Sequence, residues 1–247
     1  MWDDWLNRED GKEIRRESII SFHGPRGLIR SYSANQLNVT LPVVCDHCNN
    51  TWMSDISNHA KPILEPSIRR DEAMTYDELD VITLSSFVFL KAAVLDWSIA
   101  PGLSRRPYIP RAACLRFRDS LFTTAASVIA FPPHLQIWVA QYRRTRAMEA
   151  LALIDKLTGV GRLKGLRILL ITYVVGSFVF QLTCPRRSKE KHDEPGAPLF
   201  DATSDRRAVA IWPNTGTAYW PPTLHLDSST LESFRERFRT VNILGRQ

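Results

Sequence analysis

Cys45 and Cys48 form the pair with the most definite chemistry in this sequence, within the stretch VVCDHCNNTWMSD, residues 43–55. A C-x-x-C spacing lets one tight turn deliver two thiolates to one metal, and zinc takes four ligands in a tetrahedron. The pair therefore has the spacing of half a zinc site, although a lone C-x-x-C is a weak motif. The remaining cysteines, Cys114 and Cys184, stand alone and read as buried apolar side chains. A thioredoxin-like redox centre would place C-x-x-C at a helix start inside a βαβ pattern, and no such pattern surrounds this pair. Asp55 is the nearest carboxylate and His59 follows eleven residues after Cys48, which makes these two the weak catalytic candidates. His47, between the cysteines, and His23, in an expected hairpin turn, are further candidates for metal binding. Residues of these types are more often ordinary surface groups. His134, His192 and His225 have no partner motif.

The elements that must position these groups can be read from periodicity. Residues 17–44 alternate loosely around HGPRG (23–27), which predicts two short strands, the second being NQLNVTLPVV leading into Cys45. Trp52, Ile56, His59, Ala60 and Ile63 then recur at helical spacing, with Pro62 expected to kink or restart the helix. The cysteines thus fall on a turn between strand and helix. The segment 75–100 predicts a central core helix with Thr75 and Glu78 as a capping box. A shorter helix is expected from Pro110 to about Phe122, a strand over HLQIWVAQYR, and a helix over RAMEALALIDKLT (146–158). The segments RRAVAIWP and TAYWPP read as a hairpin around NTG, and a last helix starts at Ser229 with Glu232 completing its cap. Trp138, Trp212 and Trp220 fall in strands and read as packing residues. The charged stretch from Arg186 to Ala202 reads as an exposed loop.

Helices and strands come mixed without a regular βαβ rhythm, so the fold class is α+β. The expected organisation is a small ββα-like zinc-knuckle module over 1–70 and a mixed helix and antiparallel-sheet body over 71–247. The composition, 44% hydrophobic and 23% charged in 247 residues, is that of a globular chain able to bury a core without disulfides. The polar, acidic opening MWDDWLNREDGK lacks the pattern of a secretory leader, so a cytoplasmic, reducing setting is expected. The uncharged run Ile168–Cys184 is 17 residues long, rich in β-branched and aromatic residues, and interrupted by Gly176-Ser177. It predicts buried strand, either bulged or folded into two, and not a membrane span. Net charge is +6, and between Pro101 and Lys189 fifteen Lys/Arg stand against three acids. Such a segment attracts polyanions, and Arg143, Arg144, Arg146, Lys164, Arg186 and Arg187 are its candidate nucleic-acid contacts.

The knuckle resembles the second half of the zinc-containing HNH-endonuclease-like proteins of bacteria. Their pattern there runs Cys-x-x-Cys-Asn-Asn-Gly-Trp-Met-Ser, then Leu-Glu, then Lys-Pro-hydrophobic-Leu. Cys45, Cys48, Asn49, Asn50, Trp52, Met53, Ser54, Lys61, Pro62 and Leu64 match it. FLKAAVLDW, IWVAQY and the IWP…YWPP pair are similar more loosely. In that family an earlier Cys-x-x-Cys…Glu-His half precedes a segment ending in Trp-Leu, which Trp5-Leu6 resembles. The resemblance therefore implies that the other zinc ligands and the catalytic histidine would lie upstream of Met1. It implies nucleic acid as partner, structural zinc, and hydrolysis of phosphodiesters with Mg²⁺ or another divalent cation, the histidine acting as general base. Two positions depart from what catalysis expects: Trp52, which matches this family's own pattern, stands where many other HNH proteins carry His or Lys, and Ser57 aligns with the family's Glu. These departures leave two expectations open, an HNH-type endonuclease or an inactive zinc-knuckle remnant that binds nucleic acid or protein. Two copies sharing one zinc through both Cys45–Cys48 pairs would form a homodimer.

Overall fold

The structure is a computed structural model that describes residues 8–9, 12–13, 17–24, 27–34, 44–69, 73–98, 107–122, 129–143, 148–158, 166–187, 206–213 and 216–240. It is α+β, as the mixed pattern predicts. In chain order the strands are β1 (Arg8–Glu9), β2 (Lys12–Glu13), β3 (Glu17–Gly24), β4 (Gly27–Ala34), β5 (Met74–Tyr76) and β6 (Gln136–Gln141). They continue with β7 (Met148–Thr158), β8 (Leu166–Val175), β9 (Phe178–Arg187), β10 (Ala208–Trp212) and β11 (Ala218–Trp220). The helices are α1 (Asp46–Asn50), α2 (Trp52–Arg69), α3 (Glu78–Ser98), α4 (Arg111–Leu121) and α5 (Ser228–Thr240).

Seven strands form one sheet in the order β10-β6-β9-β8-β7-β3-β4. Every neighbouring pair is antiparallel except β3 with β7, which is parallel. The sheet therefore runs across residue 70, with β3 bonded to β7 from the later part of the chain and β4 outside it at the edge. The apolar run 168–184 is the β8–β9 hairpin. Gly176 takes φ 58° at its turn, where a side chain would be strained. No helix among the described residues is long and apolar enough to cross a membrane.

Alternation sorts each strand into two faces. Leu169, Ile171, Tyr173 and Val175 of β8 and Phe178, Phe180 and Leu182 of β9 join Ile137 and Val139 of β6 in a core shared with α2, α3 and α4. On the opposite face Ala140, Val174 and Val179 pack under Leu231 and Phe234 of α5. Helix α3 is buried at every residue from Leu84 to Ala93. Its Phe89 meets Phe117 of α4 with ring centroids 4.8 Å apart, and Phe117 meets Trp52 at 6.5 Å and Phe131 at 5.4 Å.

Several local expectations are corrected by tertiary context. Residues 148–158 are strand, not helix, because β3 and β8 take up backbone hydrogen bonds on both of their edges. Such pairing outweighs the helical propensity of Ala, Leu and Met. The segments at 208–212 and 218–220 do not pair with each other: β10 pairs with β6, and β11 with β5. Thr75 therefore lies in β5, and Asp77 caps α3, its Oδ1 accepting from Asp80 N–H at 2.9 Å. Helix α2 passes through Pro62 and Pro66 without ending. Asn58 and Pro62 are exposed, so carbonyls that lose a partner at the prolines can turn to water. The second early strand is Gly27–Ala34, while 35–43 and the loop 188–205 lie outside the described residues.

Helix α5 starts from Asp227 rather than Ser229. Asp227 Oδ1 accepts from Ser229 N–H at 2.9 Å and from Thr230 N–H at 2.8 Å, besides both hydroxyls. The Ser229 and Thr230 hydroxyls and N–H groups hold this carboxyl well below the usual range.

Two outcomes follow. Phe117→Ala should destabilise the fold by about 3–5 kcal/mol in urea denaturation, because Phe117 is 1% exposed and touches three other rings; a loss under about 1 kcal/mol would contradict the central place of this ring. Asp227→Ala should melt below wild type at neutral pH. A depressed folded pKa stabilises above the unfolded value of about 3.9 and loses that contribution as pH falls through the folded value. The gap between the two melting curves should therefore narrow as pH drops below about 4, and a constant gap would rule out the carboxylate cap.

Candidate metal turn and adjoining groove

Cys45 and Cys48 are brought together by the shortest helix. Cys45 caps α1 in an extended conformation, and Cys48 N–H donates to Cys45 Sγ at 3.4 Å. That N–H, followed by the Cys48 thiol, holds the Cys45 thiol below its ordinary range. Both are free thiols, Cys45 exposed and Cys48 half-buried against the core. No residue of α1 is buried, so the turn stands out from the surface. Two thiolates on one turn suit zinc as two of its four ligands. Among the described residues no group of three or more His, Cys, Asp or Glu side chains gathers to complete a site. His47 is exposed on α1 between the cysteines.

One residue, Thr51, separates α1 from α2, and its hydroxyl donates to His47 O at 2.7 Å. Helix α2 then presents Trp52, Asp55, Ile56 and His59 at three- and four-residue spacing to a groove of about 350 Å³. Leu79, Ile82, Thr83 and Ser86 of α3 form the second wall, and Ser120, Leu121, Phe122 and Ile129 the third. The weak catalytic pair Asp55 and His59 thus shares one cleft, both side chains exposed. His59 Nδ1 lies 2.7 Å from the Asp55 carbonyl oxygen. In the neutral ring Nδ1–H donates there, which leaves Nε2 with a free lone pair, the arrangement that suits a base or a metal ligand.

The two positions that depart from the HNH pattern are used for packing. Trp52 sets its ring against Phe117, and its indole N–H is buried with no hydrogen-bond partner. Ser57 is buried and accepts from Lys91 Nζ at 3.4 Å. Trp138 and Trp220 are 1% and 2% exposed, and Trp212 stacks its edge near Phe131 at 4.4 Å, which fits packing roles for all three. Cys184 is buried, and burial followed by the Asp96 carboxylate pushes the half-buried Cys114 thiol up to about 11.

The basic candidates among the described residues fall near opposite ends of β9. Arg143 is exposed beside the β8–β9 turn, since its neighbour Tyr142 donates N–H to Ser177 O at 2.7 Å. Arg186 and Arg187 close β9 at its other end, about 30 Å along the strand. Arg144, Arg146, Lys164 and His192 lie outside the described residues. His23 is within β3, opposite Leu28, and not in the turn. His225 is exposed, while His134 sits in a turn at φ 59° with its Nδ1 buried and unpartnered. The third wall of the groove, and Phe122 above all, was not singled out by sequence; its signal is an aromatic placed at the end of an amphipathic helix whose apolar face it does not share.

No family model matches the chain, and neither curated proteins nor solved structures match it.

Limiting iodoacetamide on the metal-free protein should label Cys45 first, because it is the exposed thiol, with Cys48 behind it. Cys114 and Cys184 should react only on unfolding, and early labelling of either would show that the packing around α4 or β9 differs from that described.

Proposed function

We propose that this chain is an HNH-endonuclease-like zinc-knuckle protein of the cytoplasm that binds nucleic acid without cleaving it. The observation that carries this reading is the run from α1 into α2. It presents an exposed Cys45–Cys48 thiol pair, yet turns the two departing positions, Trp52 and Ser57, into the protein. A side chain packed on Phe117 cannot bind a catalytic cation, and a buried serine offers no carboxylate. The zinc role is structural: Cys45 and Cys48 supply two thiolates, and two copies of the chain would supply four. The basic excess between residues 101 and 189 supplies the phosphate contacts, and affinity of that origin falls steeply with salt.

A second reading is favoured by the groove. His59 keeps Nε2 free beside Asp55, the combination that a hydrolase would need to take a proton from water and to lend a carboxylate oxygen to a hard cation. Mg²⁺ or a similar ion, when bound, would stabilise charge developing on a phosphodiester.

One set of measurements separates them. Binding of DNA and RNA at low salt, with no cleavage in Mg²⁺ or Mn²⁺, is the expected result. Cleavage that His59→Gln abolishes would overturn the non-cleaving reading in favour of the second. Metal analysis should find about one zinc per two chains in a dimer, following tetrahedral four-thiolate coordination. Zinc-free folded protein would remove the structural-zinc role.

A further inference from the structure

Helix α4 carries an outward stripe in which cations and apolar groups alternate. Arg111, Leu115 and Phe122 are exposed, and Arg118 is partly so. Their positions advance by four, three and four residues, so at about 100° per residue they stay on one face of the helix. The inward face is separate and holds Ala113 and Phe117. Phe122 ends the stripe 69% exposed, and opposite it stands Leu79, 65% exposed. These two form apolar lips of the groove that holds His59 and Asp55.

The lips differ in charge. Leu79 lies between Glu78 and Asp80 at the start of α3, next to Asp77. Phe122 lies one turn from Arg118 and three from Arg111. A polyanion is therefore repelled from the α3 lip and drawn along α4. Arg118 gives Nε and Nη2 to Asp119 Oδ1 at 2.9 and 2.6 Å. Both partners are accessible, and an exposed pair of this kind contributes little, so a phosphate can take over the guanidinium. A ring left bare at a helix end one turn from Arg118, with Arg111 further along the same face, offers what a nucleobase needs, a flat apolar face within reach of phosphate contacts.

We propose that the Arg111–Leu115–Arg118–Phe122 stripe is a contact surface for single-stranded nucleic acid, with a base stacked on Phe122 and the strand led toward the His59–Asp55 groove. This rests on the nucleic-acid reading above and assigns it to residues outside the earlier basic candidates. Single strands are specified because only unstacked bases present their faces to a ring.

The test is fluorescence anisotropy with a short labelled oligonucleotide, single-stranded or annealed, over a range of salt. Phe122→Ala should weaken single-strand binding about tenfold, while Phe122→Trp retains it. Arg111→Ala combined with Arg118→Ala should reduce the salt slope by about 1.4, at ~0.7 for each single-strand phosphate contact. All these positions are solvent-facing, so circular dichroism melting should stay at the wild-type value. Wild-type binding that Phe122→Ala leaves intact overturns the stripe while leaving the nucleic-acid reading standing. Tighter binding of duplex than of single strand overturns the choice of ligand. Failure of wild type to bind any oligonucleotide overturns the nucleic-acid reading itself.

Discussion

Helix α3 has no side that faces water through its middle turns, and the surrounding elements are placed by that requirement. A helix apolar all round must be enclosed by other elements. Two rows of aromatic rings leave it in different directions. Phe87 meets Phe180, which meets Phe178, which stacks on Trp220 at 4.1 Å. Phe89 leads through Phe117 to Trp52, and through Phe131 to Trp212. The few polar groups on α3 reach outward as ties. Ser85 Oγ donates to Ile211 O at 3.3 Å in β10, Lys91 reaches Ser57 in α2, and Asp96 accepts from Ile109 N–H at 2.7 Å before α4. Each tie also satisfies a buried polar group that would otherwise be costly to leave unpaired.

The groove and the cysteine turn inherit their positions from this helix. Trp52 closes the first turn of α2 onto α4, which fixes where Asp55 and His59 emerge and sets α1 outward at the surface. The cysteine turn is thus held by the helix that follows it. Trp52, which follows the thiol turn and lines the groove, is committed to packing on Phe117. That commitment joins the two ends of the functional reading: Trp52 at once lines the groove and gives a reason to propose binding in place of hydrolysis.

Sequence pattern was most informative where local and tertiary preferences agree. The β-branched run at 168–184 with its Gly176 break is a hairpin, and the long apolar segment before Trp97 is the core helix. The pattern misled where hydrogen bonding across the sheet decided the outcome. Ala, Leu and Met over 148–158 suit a helix in isolation, and only the edges offered by β3 and β8 make them strand. Caps shifted for a related reason: Ser229 and Thr75 resemble capping residues, but Asp227 and Asp77 stand where each helix actually begins. The cysteine spacing marked the turn that brings Cys45 and Cys48 together. The groove was half legible, because Asp55 and His59 lie on one helical stripe while its other walls come from residues distant in the chain. Arg143 and Arg187 look alike in a charge count, yet the antiparallel pairing of β6 with β9 places them at opposite ends of a strand.

The parallel pairing of β3 with β7 has a consequence for how the chain reaches this state. Glu17 pairs with Met148, so the partner of an early strand is made about 130 residues later. At ribosomal rates of roughly 5–20 residues per second, β3 waits on the order of ten seconds for its partner. The β7–β8–β9 meander closes locally and can form without it. The long-range β3–β7 pairing closes a far larger loop than the β7–β8–β9 meander, and β3 and β4 occupy one edge of the sheet. Until β3 docks, the edge of β7 is open to any extended segment, and the amino-terminal strands act as the cover that ends its exposure.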